Sequence, residues 1–261
     1  MYLRTSGSPR RSELWTAQVD SGRNESLLPG FAVNRSDLRV AFDISPDGRQ
    51  AVTQALDREG KSRLWLTPLD RRSPPTQIPN VEGDGPLFLS GEEIVFRARE
   101  GDYGVAYRVR VDGTALTRAA DYHIASTRGV SRDAKWLVVY ARPSEHESGA
   151  TMALPLRGGP PVQIWGKGTN IQWSLDGRQM YLSVPAGYYS GQSGKTYVLP
   201  VPIGRTLPDI PAGGFQSERD IALLPGVQII NSPDATPGPD PDMHAYSRLT
   251  VQRNLYQVPV P

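Results

Sequence analysis

A short turn motif recurs along this chain and limits the folds that the chain can adopt. Ser-Pro-Asp-Gly-Arg-Gln stands at residues 45–50 and Ser-Leu-Asp-Gly-Arg-Gln at 174–179, and a variant, Ser-Arg-Asp-Ala-Lys-Trp, occupies 131–136. A shortened form begins at Ser90, so the steps between the four serines are 45, 41 and 43 residues. A nearly fixed period of this size is typical of a repeat architecture.

A second pattern lies between these turns and predicts one strand in each repeat. An aromatic residue or Met precedes an aliphatic residue by four positions, as in LWLTPLD at 64–70 and TYVLPVP at 196–202. Apolar residues at alternate positions predict a strand with one buried face. In four copies a proline precedes the last apolar residue, and because proline cannot donate to a β-ladder, each copy is predicted to be the outer strand of its sheet. The first position is filled by Trp15, Trp65, Tyr107, Met152, Tyr197 and Tyr256, and we expect its aromatic residues to pack between sheets.

Together, the two patterns predict an all-β fold. Each unit contains an Asp-Gly turn between two strands, a variable hairpin and a proline-bearing strand, and repeats of about four strands are typical of β-propeller blades. The 26 glycines and 24 prolines fit a fold with many tight turns. We therefore predict a single β-propeller domain over residues 1–261 with six blade positions of about four strands each. The units are expected at 1–30, 38–79, 86–118, 126–165, 169–206 and 218–261.

The first of these units is shorter than the others. Residues 1–30 supply two clear strand patterns where four are expected, so the first blade is predicted to be incomplete. An unpaired sheet edge is a liability that natural proteins avoid. We therefore expect the chain to be the C-terminal part of a longer protein, with a shortened but complete first blade as the alternative.

The Asp-Gly pairs carry two local predictions. Gly48 and Gly177 are expected to have positive φ, because the tight turn needs it. Asp47 and Asp176 are expected to bond local backbone groups rather than take part in chemistry.

The residues of the two patterns also resemble a known family. The SPDGRQ and SLDGRQ turns, followed by strands such as LWLTPLD, resemble the TolB-like, WD-type propeller repeat of bacteria over nearly the whole chain. The ending SRLTVQRNLYQVPVP resembles the close of propellers that follow kinase or winged-helix domains in multidomain bacterial proteins. The resemblance implies the propeller fold and no particular function. The copy at Ser90, which lacks Asp-Gly, and residues 222–233 depart from the pattern.

Composition narrows the function classes. The chain has no cysteine, which excludes disulfides and thiolate sites. Its net charge is +2 without a basic stripe interleaved with aromatic residues, so no nucleic-acid partner is expected. No segment has the ~20 consecutive apolar residues of a membrane span, and the N-terminal residues lack the apolar region of a signal peptide. The sequence is compatible with either the periplasm or the cytoplasm.

No catalytic, cofactor or metal site is predicted. YYSGQSGKT at 188–196 ends like a phosphate-binding loop, but Tyr189 stands where that loop needs glycine, and a strand follows it rather than a helix. The three histidines, His123, His146 and His244, lie in different units, which disfavours a shared metal. The loop 234–244 carries three aspartates without the late glutamate of a calcium loop, and no Gly-x-Ser-x-Gly motif occurs.

Three residues are candidates for partner binding. His123 lies just before a predicted inner strand, near one rim of the central channel, and Tyr188 and Tyr189 lie on a glycine- and serine-rich hairpin. Exposed tyrosines are common anchors at interfaces. The sequence therefore favours a non-catalytic scaffold that binds a protein or peptide. Two alternatives stay open, namely the propeller of a prolyl-oligopeptidase-like hydrolase and a polysaccharide lyase with a metal in its channel.

Overall fold

The computed structural model describes residues 2–6, 11–18, 20–27, 42–57, 59–142, 148–185, 194–240 and 242–246. Within these ranges the chain forms twenty strands and one five-residue helix, α1 (Glu218–Ala222). The prediction of an all-β fold is confirmed.

The strands form antiparallel sheets in which neighbours follow the order of the chain. The first sheet contains β1 (Tyr2–Ser6), β2 (Arg11–Ala17) and β3 (Asn24–Ser26). The second contains β4 (Phe42–Ile44), β5 (Gln50–Leu56), β6 (Ser62–Pro68) and β7 (Thr76–Glu82). The next strands are β8 (Asp84–Phe88), β9 (Glu93–Glu100), β10 (Tyr103–Arg110), β11 (Thr117–Val130), β12 (Trp136–Ala141), β13 (Ala150–Pro155) and β14 (Val162–Trp165). They are followed by β15 (Asn170–Trp173), β16 (Gln179–Pro185), β17 (Gly194–Pro200) and β18 (Gln228–Ile230), and by a hairpin of β19 (Thr236–Pro237) and β20 (His244–Ala245).

Strand β11 belongs to two sheets. Its first half pairs with β10, where His123 lies opposite Val105, and its second half pairs with β12, where Ile124 lies opposite Ala141. The third sheet is therefore β8–β10 with residues 117–123, and the fourth sheet is residues 124–130 with β12–β14. Strands β15–β18 form the fifth sheet. Successive sheets of about four strands, joined from the outer strand of one to the first strand of the next, are the predicted propeller architecture.

The prediction that the proline-bearing strands lie at the outer edges is wrong. Strands β6, β13 and β17 each pair on both sides, and a further strand lies outside each of them. The proline is tolerated because it stands past the last pair with that outer strand: β7 reaches only Leu66 of β6, two residues before Pro68. Leu69 N–H donates inward to the Arg49 carbonyl at 2.8 Å. Since successive N–H groups of a strand alternate in direction, the N–H missing from Pro68 would have pointed outward, where β7 has not yet begun.

A long insertion separates the third and fourth strands of the fifth sheet. The sequence predicted a sixth unit at 218–261, whereas β18, which lies within that range, pairs with β17 and completes the fifth sheet. Within the insertion, which spans residues 201–227, Phe215 donates its N–H to Ile164 O at 2.9 Å and forms a parallel bridge with Trp165. The insertion therefore covers the outer edge of β14, an edge that would otherwise be open to pairing.

Three buried apolar clusters hold the sheets together. Tyr197 is 2% exposed and lies in the cluster formed by the fourth and fifth sheets and the insertion. Tyr107 packs against the cluster between the second and third sheets. Trp15 and Trp65 are partly buried. Tyr256, which was also predicted to pack between sheets, lies outside the described residues.

The repeated turns are closed by their own side chains. The Ser45 hydroxyl donates to Asp47 Oδ1 at 2.6 Å and accepts the N–H of Gln50 at 2.9 Å, while Asp47 Oδ1 also accepts the N–H of Arg49 at 3.1 Å. The turns at 131–136 and 174–179 repeat these bonds. Gly48 and Gly177 both have φ of 70°, so the predicted positive φ is confirmed, and so are the predicted bonds of Asp47 and Asp176 to local backbone groups.

The turn at 131–136 contains a strained residue. Ala134 occupies the glycine position with φ of 51°, a conformation that costs a side-chain-bearing residue about 1 kcal/mol. We expect Ala134→Gly to raise the free energy of unfolding by about 0.5–1 kcal/mol, and Gly177→Ala to lower it by about 1 kcal/mol. Urea denaturation of both variants beside the parent chain measures these changes. A loss of stability in Ala134→Gly would contradict this account of the turn.

Candidate functional site

The two ends of each sheet differ in chemistry. The Ser-x-Asp turns lie at one end, called the turn end here. The opposite end carries the hairpin between the second and third strands and the point where the chain crosses to the next sheet, and it is called the crossover end. The eight residues of β9 separate the two ends by about 25 Å, at about 3.3 Å per residue. His123 lies at the crossover end, between the two halves of β11.

Two exposed aromatic rings form a stack at the crossover end. Tyr103, the first residue of β10, lies face to face with His123, with ring centroids 4.1 Å apart and planes inclined by 7°. Tyr103 is 44% exposed and His123 is also exposed. The pairing of Val105 with His123 sets this geometry, because it brings the start of β10 beside the middle of β11. The sequence predicted a role for His123 and missed Tyr103.

A hydrogen-bonded network adjoins this ring pair. Tyr107 Oη donates to Glu100 Oε1, and Arg118 bridges Glu100 and Asp121, with an Nη1–Oδ1 distance of 2.7 Å to Asp121. The Tyr107 hydroxyl and then the Arg118 guanidinium hold the pKa of Glu100 below its usual range, and the His123 ring contributes less. The bond to Glu100 raises the pKa of Tyr107 in turn. The network therefore fixes several polar groups next to the ring pair.

An ion pair stabilises β11 at the point where it passes from the third sheet to the fourth. Arg97 Nη1 contacts Asp84 Oδ2 at 2.7 Å, both side chains are largely buried, and Arg97 Nε donates to the Ile124 carbonyl at 3.3 Å. Gly104 lies against this group: a Cβ there would stand 2.4 Å from Ile124 O. Glycine is required at this position because the third-sheet hairpin approaches β11 so closely.

The other predicted partner residues fall outside the described residues. These residues are Tyr188 and Tyr189. His146, which was not predicted to bind a partner, also lies outside the described residues. Pro185 and Gly194, which bracket the two tyrosines in the sequence, are paired at the crossover end of the fifth sheet. His244 lies in β20, where its ring faces Tyr246 at 6.1 Å. In the described ranges, no three His, Cys, Asp or Glu side chains come close enough to hold a metal ion.

Sequence reasoning missed an unusual carboxyl group on the first strand of the second sheet. Asp43 Oδ2 accepts the N–H of Phe88 at 2.8 Å and so joins β4 to β8. Burial raises the pKa of Asp43 to about 6, although the hydrogen bonds from Phe88 and Ile44 and the charge of Arg132 act in the opposite direction. The one sequence feature that could have indicated it is an aspartate within the apolar run VAFDIS.

The raised pKa of Asp43 predicts how the stability of the fold depends on pH. A carboxyl whose pKa is higher in the folded chain stabilises the fold most when it is protonated, so its contribution is lost as the pH rises from about 4 to 6. We expect Asp43→Asn to be more stable than the parent chain at pH 7.5, by about 1–3 kcal/mol, and to lose this advantage at pH 4. Urea midpoints at the two pH values test it.

Asp47→Asn is the matched control. The pKa of Asp47 is lowered, first by the Ser45 hydroxyl and then by the Arg49 N–H. This substitution should therefore reduce stability at pH 7.5 and have less effect at pH 4. The same sign for both variants would contradict the assignment for Asp43.

Comparison with known proteins identifies the class of fold. No protein-family model matches the sequence, and the comparison with curated proteins found no match. Solved structures do match: TolB from Acinetobacter baumannii (TM-score 0.58, 16% identity, 76% of this chain and 48% of that one) and a putative TolB from Agrobacterium tumefaciens (TM-score 0.56, 16% identity, 73% and 72%). An oligogalacturonate lyase in complex with manganese is similar with a TM-score of 0.50 and 12% identity over 91% of this chain and 68% of that one.

The structure is thus an all-β propeller, and its fold is TolB-like. At these identities the likeness shows the fold alone, and the chain spans about half the length of the Acinetobacter protein. No helix in the described ranges is long and apolar enough to cross a membrane.

Proposed function

We propose that this propeller is a non-catalytic module that binds a protein or peptide partner through its crossover end. The observation that carries the proposal is the stacked pair of Tyr103 and His123, two exposed rings that the protein holds in a fixed position. Large aromatic side chains on rigid supports are the residues that most often dominate binding energy at interfaces. They lose little conformational freedom on binding, because it has been lost on folding.

The chemistry of the two ends favours the crossover end over the turn end as the partner surface. At the turn end, the aspartates of the repeated turns accept bonds from their own serines and backbone, so they have less capacity left for a ligand. The crossover end carries residues that do not recur between sheets. Tyr188 and Tyr189 lie in the sequence between two residues of this end, and we include them in the proposed partner surface together with His123.

A capture experiment with matched variants tests the proposal. The immobilised chain is incubated with an extract of the cells that produce it, beside Tyr103→Ala/His123→Ala, Tyr188→Ala/Tyr189→Ala and a turn-end control, Leu175→Ser, which changes a residue that is 54% exposed. Proteins captured by the parent chain and the control should be lost from the crossover-end variants, with about 2 kcal/mol or more of binding energy removed for true anchors.

Two results would count against the proposal. Equal capture by all four chains would show that the crossover end is not the partner surface. Turnover of peptides or oligosaccharides by the purified chain, with a rate clearly above the uncatalysed reaction, would assign it to an enzyme class instead.

A further inference from the structure

The ring pair at the crossover end has open carboxylates beside it. The side chain of Asp121 is 92% exposed, and its Oδ1 accepts Arg118 at 2.7 Å. No described residue donates to Asp121 Oδ2, and none forms a hydrogen bond or ion pair with the side chain of Asp102, which directly precedes Tyr103. Both carboxylates belong to exposed residues that are close to the stacked rings in the chain, because Asp102 directly precedes Tyr103 and Asp121 is two residues before His123.

The chain already shows how its tyrosines interact with guanidinium groups. In the fourth sheet, the guanidinium carbons of Arg128 and Arg142 lie 5.7 and 5.6 Å from the ring centroid of Tyr140. At the crossover end, Arg118 is bound between two carboxylates. Within the described residues, no guanidinium lies over the rings of Tyr103 or His123.

From this arrangement we infer that the Tyr103–His123 pair, with Asp102 and Asp121, binds an arginine side chain of the partner. A guanidinium is planar, so it can stack on an aromatic ring while its N–H groups donate to a carboxylate in the same plane. Two other partner side chains fit less well. A lysine ammonium lacks that plane, and an uncharged aromatic side chain would leave both carboxylates without a counter-charge. This inference rests on the proposed function, because it names the chemical group through which the partner is recognised.

The neighbouring network favours such a site. Arg118 neutralises Glu100 and holds Asp121 from one side only, so Asp121 keeps an oxygen for a second guanidinium. The stack and the network are formed before any ligand arrives, and little ordering is therefore needed on binding. The attraction includes charge, so it should weaken as ionic strength rises.

The test uses the histidine ring signals of the full chain. Only three histidines occur, His123, His146 and His244, and their NMR signals can be assigned by single substitutions. The probe is acetyl-Gly-Gly-Arg-Gly-Gly-amide, and the same peptide with citrulline in place of arginine keeps the shape without the charge. His244, whose ring faces Tyr246, is the internal control for general contact with exposed rings.

We expect the arginine peptide to shift the His123 signals to saturation and to leave His244 unmoved. The citrulline peptide should bind at least threefold more weakly. Asp102→Asn/Asp121→Asn should weaken arginine binding at least threefold, while the His123 signals of the unliganded variant stay where they are in the unliganded parent chain. Since both aspartates are exposed, these substitutions should leave the fold intact. Equal effects of the two peptides, equal shifts of His244, no shift of His123 or unchanged affinity in the double variant would each overturn the inference.

The outcomes separate this inference from the proposed function. If Tyr103→Ala/His123→Ala abolishes partner capture but the arginine peptide does not bind, the crossover end remains the partner surface and only the chemistry of recognition is wrong. If the peptide binds but the same variant captures every partner, the ring pair binds arginine and the proposed function is wrong.

Discussion

Each central sheet of this protein is apolar on both faces, so each needs a neighbouring sheet on either side. In the third sheet, Phe96 and Val109 pack toward the second sheet, while Val95 and Ala106 pack toward the fourth. A sheet with two apolar faces cannot leave one of them in water, because burial of apolar area is the main stabilising term of folding. Stacking the sheets face to face, in the order of the chain, buries both apolar faces of each central sheet.

Polar bonds to β8, the first strand of the third sheet, set how closely the neighbouring sheets approach it. Gln54 Oε1 accepts the N–H of Gly85 at 2.7 Å, and Thr127 Oγ1 donates to the carbonyl of the same glycine at 2.6 Å. Gly85 has φ of 60°, and a Cβ there would stand 2.2 Å from Thr127 Oγ1. The second, third and fourth sheets are thus joined through one backbone position that only glycine can occupy. Asp43 forms a further bond of this kind, and its burial explains its raised pKa.

The sequence allowed the fold to be predicted because its main determinants are local. The turns at Ser45 and Ser174 close through bonds between residues no more than five apart, so their sequence is sufficient to recognise them. The placement of the proline-bearing strands failed because it depends on where the outer strand begins, and that is a matter of pairing between distant residues. The edge covered by Phe215 could not be foreseen for the same reason, since no periodic pattern marks the insertion.

The candidate site was predicted in part, and the missing part is also a matter of register. His123 was identified from its place before an inner strand, but its partner Tyr103 is twenty residues away and follows an ordinary Gly-Asp hairpin. Only the pairing of Val105 with His123 brings the two rings together. Bulges beside this pair shift the register between β10 and β11 twice, and such irregularities often re-aim side chains at functional sites.

The contrast between the two ends of the sheets explains why the propeller can combine a repeated fold with an individual surface. At the turn end, each Ser-x-Asp turn uses its own polar groups, so the same residues can recur in successive sheets without regard to a ligand. At the crossover end, the hairpins differ in length and sequence, and the polar groups of the third sheet bond across strands rather than within a turn. A change of residue there alters the surface without weakening the turns that define the sheets. The repeated turn residues and the variable hairpin residues thus lie at different ends of the sheets, and this separation supports the role that we propose for the crossover end.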